Sequence, residues 1–269
     1  MADAFLTALA GGARVFDLGR ELFAGMPQSP NHPPFRMVLE RRHGDVVRPD
    51  GGSAANELIV TGGHVGTHVD ALSHVSHDGE LHGHLAVADA MRGRAFGSLG
   101  AETIEPMVCR GVLLDVPAAL GIDACEPGYE VTPADLEAAA ARGARPQPGD
   151  VALVRTGWGR RWADPASYVG RETGVPGPGE AGARWLAEAR VRAAGADTIA
   201  FERLPAGAGH ALLPAHRVLL VEHGIHIIET LALEELAAAR VSEFLFVLAP
   251  LKIVGATGSP VRPLAIAGA

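Results

Sequence analysis

Residues 62–84 read Gly62-Gly63-His64-Val65-Gly66-Thr67-His68-Val69-Asp70-Ala71-Leu72-Ser73-His74, then Val75-Ser76-His77-Asp78-Gly79-Glu80-Leu81-His82-Gly83-His84. Six of the chain's 12 histidines fall here, together with Asp70, Asp78 and Glu80. His64, His68 and Asp70 suit a hard or borderline divalent cation. Imidazole and carboxylate accept zinc, manganese or iron, and no thiolate stands by to favour a softer ion. The backbone signals agree. Gly66 permits a chain reversal, Thr67 can tie the loop through its hydroxyl, and His68 and Asp70, two apart, point to one side of an extended segment. His74, four residues further on, is placed to transfer a proton beside the cation. A lone histidine in a polar loop is ordinarily a surface residue; three at this spacing, beside two glycines, read as a site. The stretch is expected to be a strand running into a metal-binding loop, and the chain a metallohydrolase.

Working outward, Leu58–Val60 reads as a strand that closes on the turn Thr61-Gly62-Gly63. Before it, residues 26–35 hold four prolines, which remove donors and fix φ, so this piece is a stiff loop fit to form a pocket wall. After the motif, Val108–Val116 is a strand. Thr132 caps a helix with Pro133 in its first turn, running to Arg142 and stopped by Gly143. Asp150–Arg155 is a strand, Glu180–Ala194 an amphipathic helix and Asp197–Phe201 a strand. Val218–Val221 and Ile225–Ile228 read as strands around the turn Glu222-His223-Gly224. Leu233–Ala239 is helical and Phe244–Leu248 a strand. Strands separated by helices predict an α/β or α+β class with a mixed sheet or partial β-barrel, in one domain over residues 1–269.

Composition narrows the function. With 269 residues, 48% of them hydrophobic and 20% charged, the chain can bury a large core. A net charge of −8 and a pI near 5.8 argue against a nucleic-acid binder, which would show a basic face. No stretch reaches the roughly 20 apolar residues of a membrane span, and the first residues carry an early acid rather than a cationic leader, so a cytoplasmic protein is expected. Cys109 and Cys125 stand in unrelated contexts and read as incidental thiols. No Gly-x-Ser-x-Gly elbow occurs, which argues against a serine hydrolase. Gly207-Ala208-Gly209 lacks a third glycine and runs into Pro214, so it is not a dinucleotide loop.

His64-x-Gly66-Thr67-His68-x-Asp70-x-x-x-His74 resembles the signature H-x-G-T-H-x-D-x-P-x-H of the metal-dependent cyclase/kynurenine formamidase superfamily, which includes isatin hydrolases. The likeness extends over most of the chain: Phe16-Asp17-Leu18 with Met26-Pro27, Val154-Arg155-Thr156-Gly157-Trp158, Asp197-Thr198, Pro214 to Arg217 through Glu229, and Gly255 to Pro260. The resemblance implies a swivelling β/β/α domain with flanking helices. It implies that His64, His68 and Asp70 hold Mn2+ or Zn2+, that His216 and Glu229 complete a second site where two ions bind, and that His74 is the catalytic acid/base. It also implies a small-molecule substrate and a homodimer or tetramer. Two positions depart from the family pattern. Leu72 replaces the usual proline, and no tryptophan stands near Ser29, where formamidases stack the substrate's aryl ring. The ring-opening, isatin-like branch is therefore expected over an arylformamidase; a lactone hydrolase and a metal-binding scaffold are the alternatives.

Independently of the resemblance, Glu229 follows the apolar Ile225-His226-Ile227-Ile228, where an unpaired carboxylate is costly, so a cation or strong partner is expected there. His77, His82 and His84 read as loop residues that shape the pocket, and His32 as part of the proline loop. His210 is a second choice to His216, His223 and His226 read as structural, and Glu202 reads as a solvated strand end.

Overall fold

The computed structural model describes residues 11–268. Nine strands form one sheet: β1 (Arg14–Asp17), β2 (His68–Asp70), β3 (Met107–Asp115), β4 (Val151–Arg155), β5 (Ala193–Ala196), β6 (His226–Glu229), β7 (Glu243–Leu248), β8 (Gly258–Pro260) and β9 (Leu264–Ala267). Their order is β1-β9-β7-β3-β4-β5-β6-β2-β8, and the sheet curls into a half barrel. The central strands β3, β4, β5 and β6 are parallel. Both flanks are antiparallel. The expected mixed sheet with partial-barrel curvature and flanking helices is what the chain forms.

Period-two alternation explains the two cores. Along β4, Ala152 and Val154 join one apolar cluster, which includes Leu136 of helix α1 (Pro133–Arg142) and Leu186 of helix α2 (Glu180–Glu188). Val151 and Leu153 join the opposite cluster, with Phe16, Phe246 and Leu236 of helix α3 (Glu234–Ala238). Every residue of β4 is buried, as an interior parallel strand covered on both faces must be. Helix α1 starts as its sequence predicts: Thr132 and Asp135 form a reciprocal capping box and Pro133 opens the first turn.

Three sequence expectations are corrected. The helix expected over Glu180–Ala194 stops at Glu188, and Ala193–Ala196 is instead strand β5. Arg190 takes φ 56°, outside helical space, and the small residues of β5 suit a crowded interior: a Cβ on Gly195 would lie 2.7 Å from Leu231 Cδ1. Asp197–Phe201 is consequently not a strand but a turn. Val218–Val221 is not a strand either; it lies in a π-helical segment, Arg217–Glu222, that continues the short helix Pro214–His216. Its residues Val218, Leu219 and Leu220 are fully buried, and an apolar run of this length has the same pattern in a buried strand as in a buried helical turn. The strand expected at Leu58–Val60 forms as Asn56–Val60, but it pairs with Arg36–Arg41 in a separate hairpin. Among the described residues, no helix is long and apolar enough to cross a membrane.

The sheet also positions the motif. Strand β2 lies between β6 and β8, with His68 opposite Glu229 and Asp70 opposite Gly258. Both neighbours arrive from more than 150 residues downstream and bring Glu229 and Thr257 beside the histidines.

Candidate metal centre

Asp70 is the hub. Its Oδ1 lies 2.8 Å from His64 Nδ1 and 3.5 Å from His68 Nε2, and its Oδ2 lies 3.6 Å from His216 Nε2. Glu229 faces the same space: its Oε2 is 3.4 Å from His68 Nε2 and its Oε1 is 3.2 Å from His216 Nε2. His74 stacks on His64 with ring centroids 3.9 Å apart, and its centroid lies 6.1 Å from that of His216. The structure thus gathers His64, His68, Asp70, His74, His216 and Glu229. Their donor atoms fall into two compact groups that share Asp70, one with His64 and His74 and one with His68 and Glu229.

The imidazoles of His64, His68 and His216 are each fixed by their other nitrogen. His68 Nδ1 donates to the Gly66 carbonyl at 2.8 Å, which leaves Nε2 facing the carboxylates. His216 Nδ1 donates to Glu202 at 2.6 Å, and Glu202 also accepts the backbone N–H groups of Ala215 at 3.0 Å and His216 at 2.9 Å. His64 Nε2 shares a hydrogen bond of 2.9 Å with the Thr257 hydroxyl. Such outer partners fix tautomer and ring orientation in metal sites. The loop is held just as firmly. Thr67 donates its hydroxyl hydrogen to the Thr230 carbonyl at 2.7 Å and accepts from Arg20 N–H at 2.8 Å, which ties the motif to the residue after Glu229.

Glycines make the close approaches possible at two positions. Gly66 has φ 68°, and a Cβ there would meet Leu22 Cδ2 at 2.3 Å. A Cβ on Gly258 would sit 2.5 Å from His64 Cε1. Leu72, where the superfamily signature has proline, leaves the loop intact, since His74 N–H closes the turn onto the Ala71 carbonyl at 2.9 Å.

The electrostatics call for a cation. Asp70 and Glu229 are both buried, and Asp70 Oδ2 has no hydrogen-bond partner. Two carboxylates withdrawn from water beside an orphaned oxygen are costly unless positive charge neutralises them. Burial raises the Asp70 pKa, but the facing His74, His64 and His68 outweigh it and hold the carboxyl well below the usual range. Burial and the Asp70 charge instead push Glu229 up, against the His216 bond. His216 is raised well above an ordinary histidine because Glu202 and Glu229 override its burial. Burial lowers His68, and it brings His74 down to about 3. Nitrogen and oxygen donors without thiolate fit zinc or manganese, so the donor set suits the cation.

The remaining candidates separate. His77 and His84 are exposed, His84 pairing with Glu80 at 2.8 Å, and His82 donates to the Val221 carbonyl at 3.0 Å. His226 donates to the Asp70 carbonyl at 2.9 Å. His210 sits in the loop before His216, and it is His216 that faces Glu229. His32, from the proline loop, stacks on His64 at 5.2 Å. Glu202 is not a solvated strand end: it is buried and clamps His216. The argument that singled out Glu229 applies equally to Glu202, which follows the apolar Ile199-Ala200-Phe201. Thr257 and Gly258 lie in the segment of family likeness from Gly255 to Pro260, but their place beside His64 was not legible, because only pairing of β8 with β2 brings them there.

Residues 16–203 match the Cyclase family. The chain is similar to an isatin hydrolase of Roseibium aggregatum, 27% identical over 222 residues that cover 81% of this chain and 76% of that protein. Among solved structures, a novel cyclase superposes with a TM-score of 0.85 at 30% identity, covering 98% of this chain and 93% of that one. Isatin hydrolase A from Ralstonia solanacearum superposes with a TM-score of 0.75 at 26% identity, covering 99% and 97%.

Proposed function

The chain belongs to the Cyclase family, and on that premise we propose that it is a metal-dependent hydrolase that opens a small cyclic amide of the isatin type. The observation that carries this reading is the buried hub itself: imidazoles and two carboxylates converge around an Asp70 oxygen that has no hydrogen-bond partner. His64, His68, Asp70, His216 and Glu229 would hold one or two cations. When bound there, Mn2+ or Zn2+ supplies Lewis acidity, acidifying water and polarising a carbonyl oxygen.

The protein's own residues account for the proton. His74 carries a neutral ring in this buried setting, and its stacking against His64 holds it beside the ligand cluster. A ring nitrogen of His74 takes a proton from the attacking water and returns it to the leaving nitrogen. The water oxygen joins the carbonyl carbon, the C–N bond breaks, and an open-chain carboxylate with a free amine results. Glu202 and Thr257 keep His216 and His64 in register throughout.

The isatin hydrolases among the similar proteins support the cyclic-amide substrate. Ser29 is buried and too small to offer an aryl ring a stacking surface, which weakens the formamidase reading. A lactone hydrolase would differ only in the leaving atom. The test is metal analysis of the purified protein, followed by turnover of isatin, N-formylkynurenine and a lactone panel after loading with Mn2+ or Zn2+. Fastest turnover of isatin or a related cyclic amide is expected. Bound metal without hydrolysis of any of them would leave a metal-binding scaffold, and preference for a lactone or a formamide would replace the substrate class.

A further inference from the structure

Segments 169–171 and 204–211, with Pro30 and Asn31 of the proline loop, line a cavity of about 510 Å³. Pockets of ~300–1,000 Å³ take small organic ligands. Two histidines join this cavity to the candidate metal centre. His32 follows Asn31 and stacks on His64, with ring centroids 5.2 Å apart. His210 lines the cavity itself. Burial lowers the His210 ring, and the charge of His216 lowers it further, so His210 stands within electrostatic reach of the centre. A ligand whose reacting bond lies at the centre has this cavity as room for its far end.

The lining indicates what that far end carries. Val169 and Leu204 give an apolar floor that is continuous with the buried cluster around Trp158 and Tyr168. No acidic side chain lines the cavity, although the chain has a net charge of −8. Its permanent cation is Arg171. Arg155, Arg160, Arg184 and Arg217 each pair with a glutamate, whereas Arg171, among the described residues, has no acidic partner within ion-pair reach. The backbone that presents it is nonetheless fixed. The Arg171 carbonyl accepts the Gly207 N–H at 2.9 Å, Gly174 N–H closes the loop onto the Gly170 carbonyl at 2.8 Å, and Val175 and Leu204 exchange two bonds of 2.9 Å. These bonds tie the loop of Arg171 to the loop of His210, so the cation is presented on a preorganised wall. A guanidinium fork matches a carboxylate through two parallel hydrogen bonds. We propose that this cavity is a subsite for an acidic substituent: the substrate is a cyclic amide that also carries a carboxylate, held by Arg171 and the Asn31 amide while its scissile bond lies at the metal centre. This rests on the cyclic-amide reading and adds the charge of the substrate to it.

The test compares isatins that bear a carboxylic acid at each benzo-ring position in turn with the matching neutral carboxamides, as substrates of the metal-loaded full chain. At least one acid is expected to exceed its carboxamide in kcat/KM by roughly 5- to 10-fold, mainly through KM, as suits a charged hydrogen bond to a side chain that stays exposed. Arg171→Gln should bring that ratio close to unity, and Arg171→Lys should retain part of it. Arg142→Gln, at an exposed arginine on α1, should leave the ratio as it is. No preference for any acid, a preference that survives in Arg171→Gln, or an equal loss in Arg142→Gln would overturn the proposal. Turnover of unsubstituted isatin reports on the cyclic-amide reading separately. Should no isatin be hydrolysed, calorimetry with the same acids and carboxamides as ligands applies the same criterion: tighter binding of an acid that is lost in Arg171→Gln supports the subsite, and equal affinities overturn it.

Discussion

His74 and Asp70 touch the same neighbours but are held for different tasks, and substitution should separate them. Asp70 bridges both groups of donor atoms, whereas His74 joins only one and forms no ion pair with Glu229. His74→Ala is expected to leave metal content unchanged while kcat falls by about 10²- to 10⁴-fold, the usual worth of a positioned proton-transfer group. Asp70→Asn should lose the metal itself, read by elemental analysis; metal retained at the wild-type level would remove Asp70 from the hub. Thr257 acts through His64, so its role shows in affinity. Thr257→Val is expected to weaken metal binding by roughly 10- to 100-fold, and Thr257→Ser to restore it, as for other outer partners of metal-binding histidines. Titration with a competing chelator checks this without recourse to activity. Equal affinity in Val and Ser variants would show that the 2.9 Å bond to His64 does not orient the ring.

At the level of elements, Gly66 shows how a turn fixes chemistry. Its φ of 68° is one that side chains rarely adopt, and a Cβ would also force Leu22 Cδ2, 2.3 Å away, to move. Gly66→Ala is expected to destabilise the fold by more than the roughly 1 kcal/mol that such a change gains at compatible sites, and to displace His68, whose Nδ1 bonds the Gly66 carbonyl. A lowered midpoint in urea, together with lost metal, would show both effects; unchanged midpoint and metal content would show that the loop relaxes around the methyl. This turn was legible because glycine, threonine, histidine and aspartate each leave a local signature. So was α1, whose cap and proline are written in Thr132, Pro133 and Asp135. The stretch from Ala189 to Leu220 was not. Alanines support a helix as readily as a crowded interior strand, and Val218-Leu219-Leu220 has no period that separates a strand from a buried helical turn. Glu202 reads as a solvated strand end for the same reason: the apolar residues before it suit a strand that does not form, and the turn at Asp197 instead buries Glu202 against His216.

Across the whole molecule, the centre lies where β2, β6, β8 and the helix ending at His216 meet, so a cation there would cross-link segments far apart in sequence. Ligation selective for the folded chain adds RT ln(1 + [L]/Kd), about 2.7 kcal/mol at a hundredfold excess over Kd. For a chain of this size that is roughly 5–10 °C in Tm. Thermal scans with and without EDTA should show the drop, and re-addition of Mn2+ or Zn2+ should reverse it. The binding also carries a proton. In the metal-free fold, Glu202 and Glu229 raise His216 well above the ordinary histidine value, so its ring is charged near neutral pH. A metal ligand must be neutral, so uptake releases that proton and affinity rises with pH until His216 titrates in the free protein. Glu229, pushed up by burial, acts in the same direction. Calorimetry in two buffers of different ionisation enthalpy is therefore expected to give different apparent heats, and binding should weaken from pH 8 to pH 6. Asp70 likewise raises His64 against its burial, so equal heats in both buffers would place both raised histidines, His216 beside Glu202 and His64 beside Asp70, outside the coordination sphere and remove the hub as a metal site.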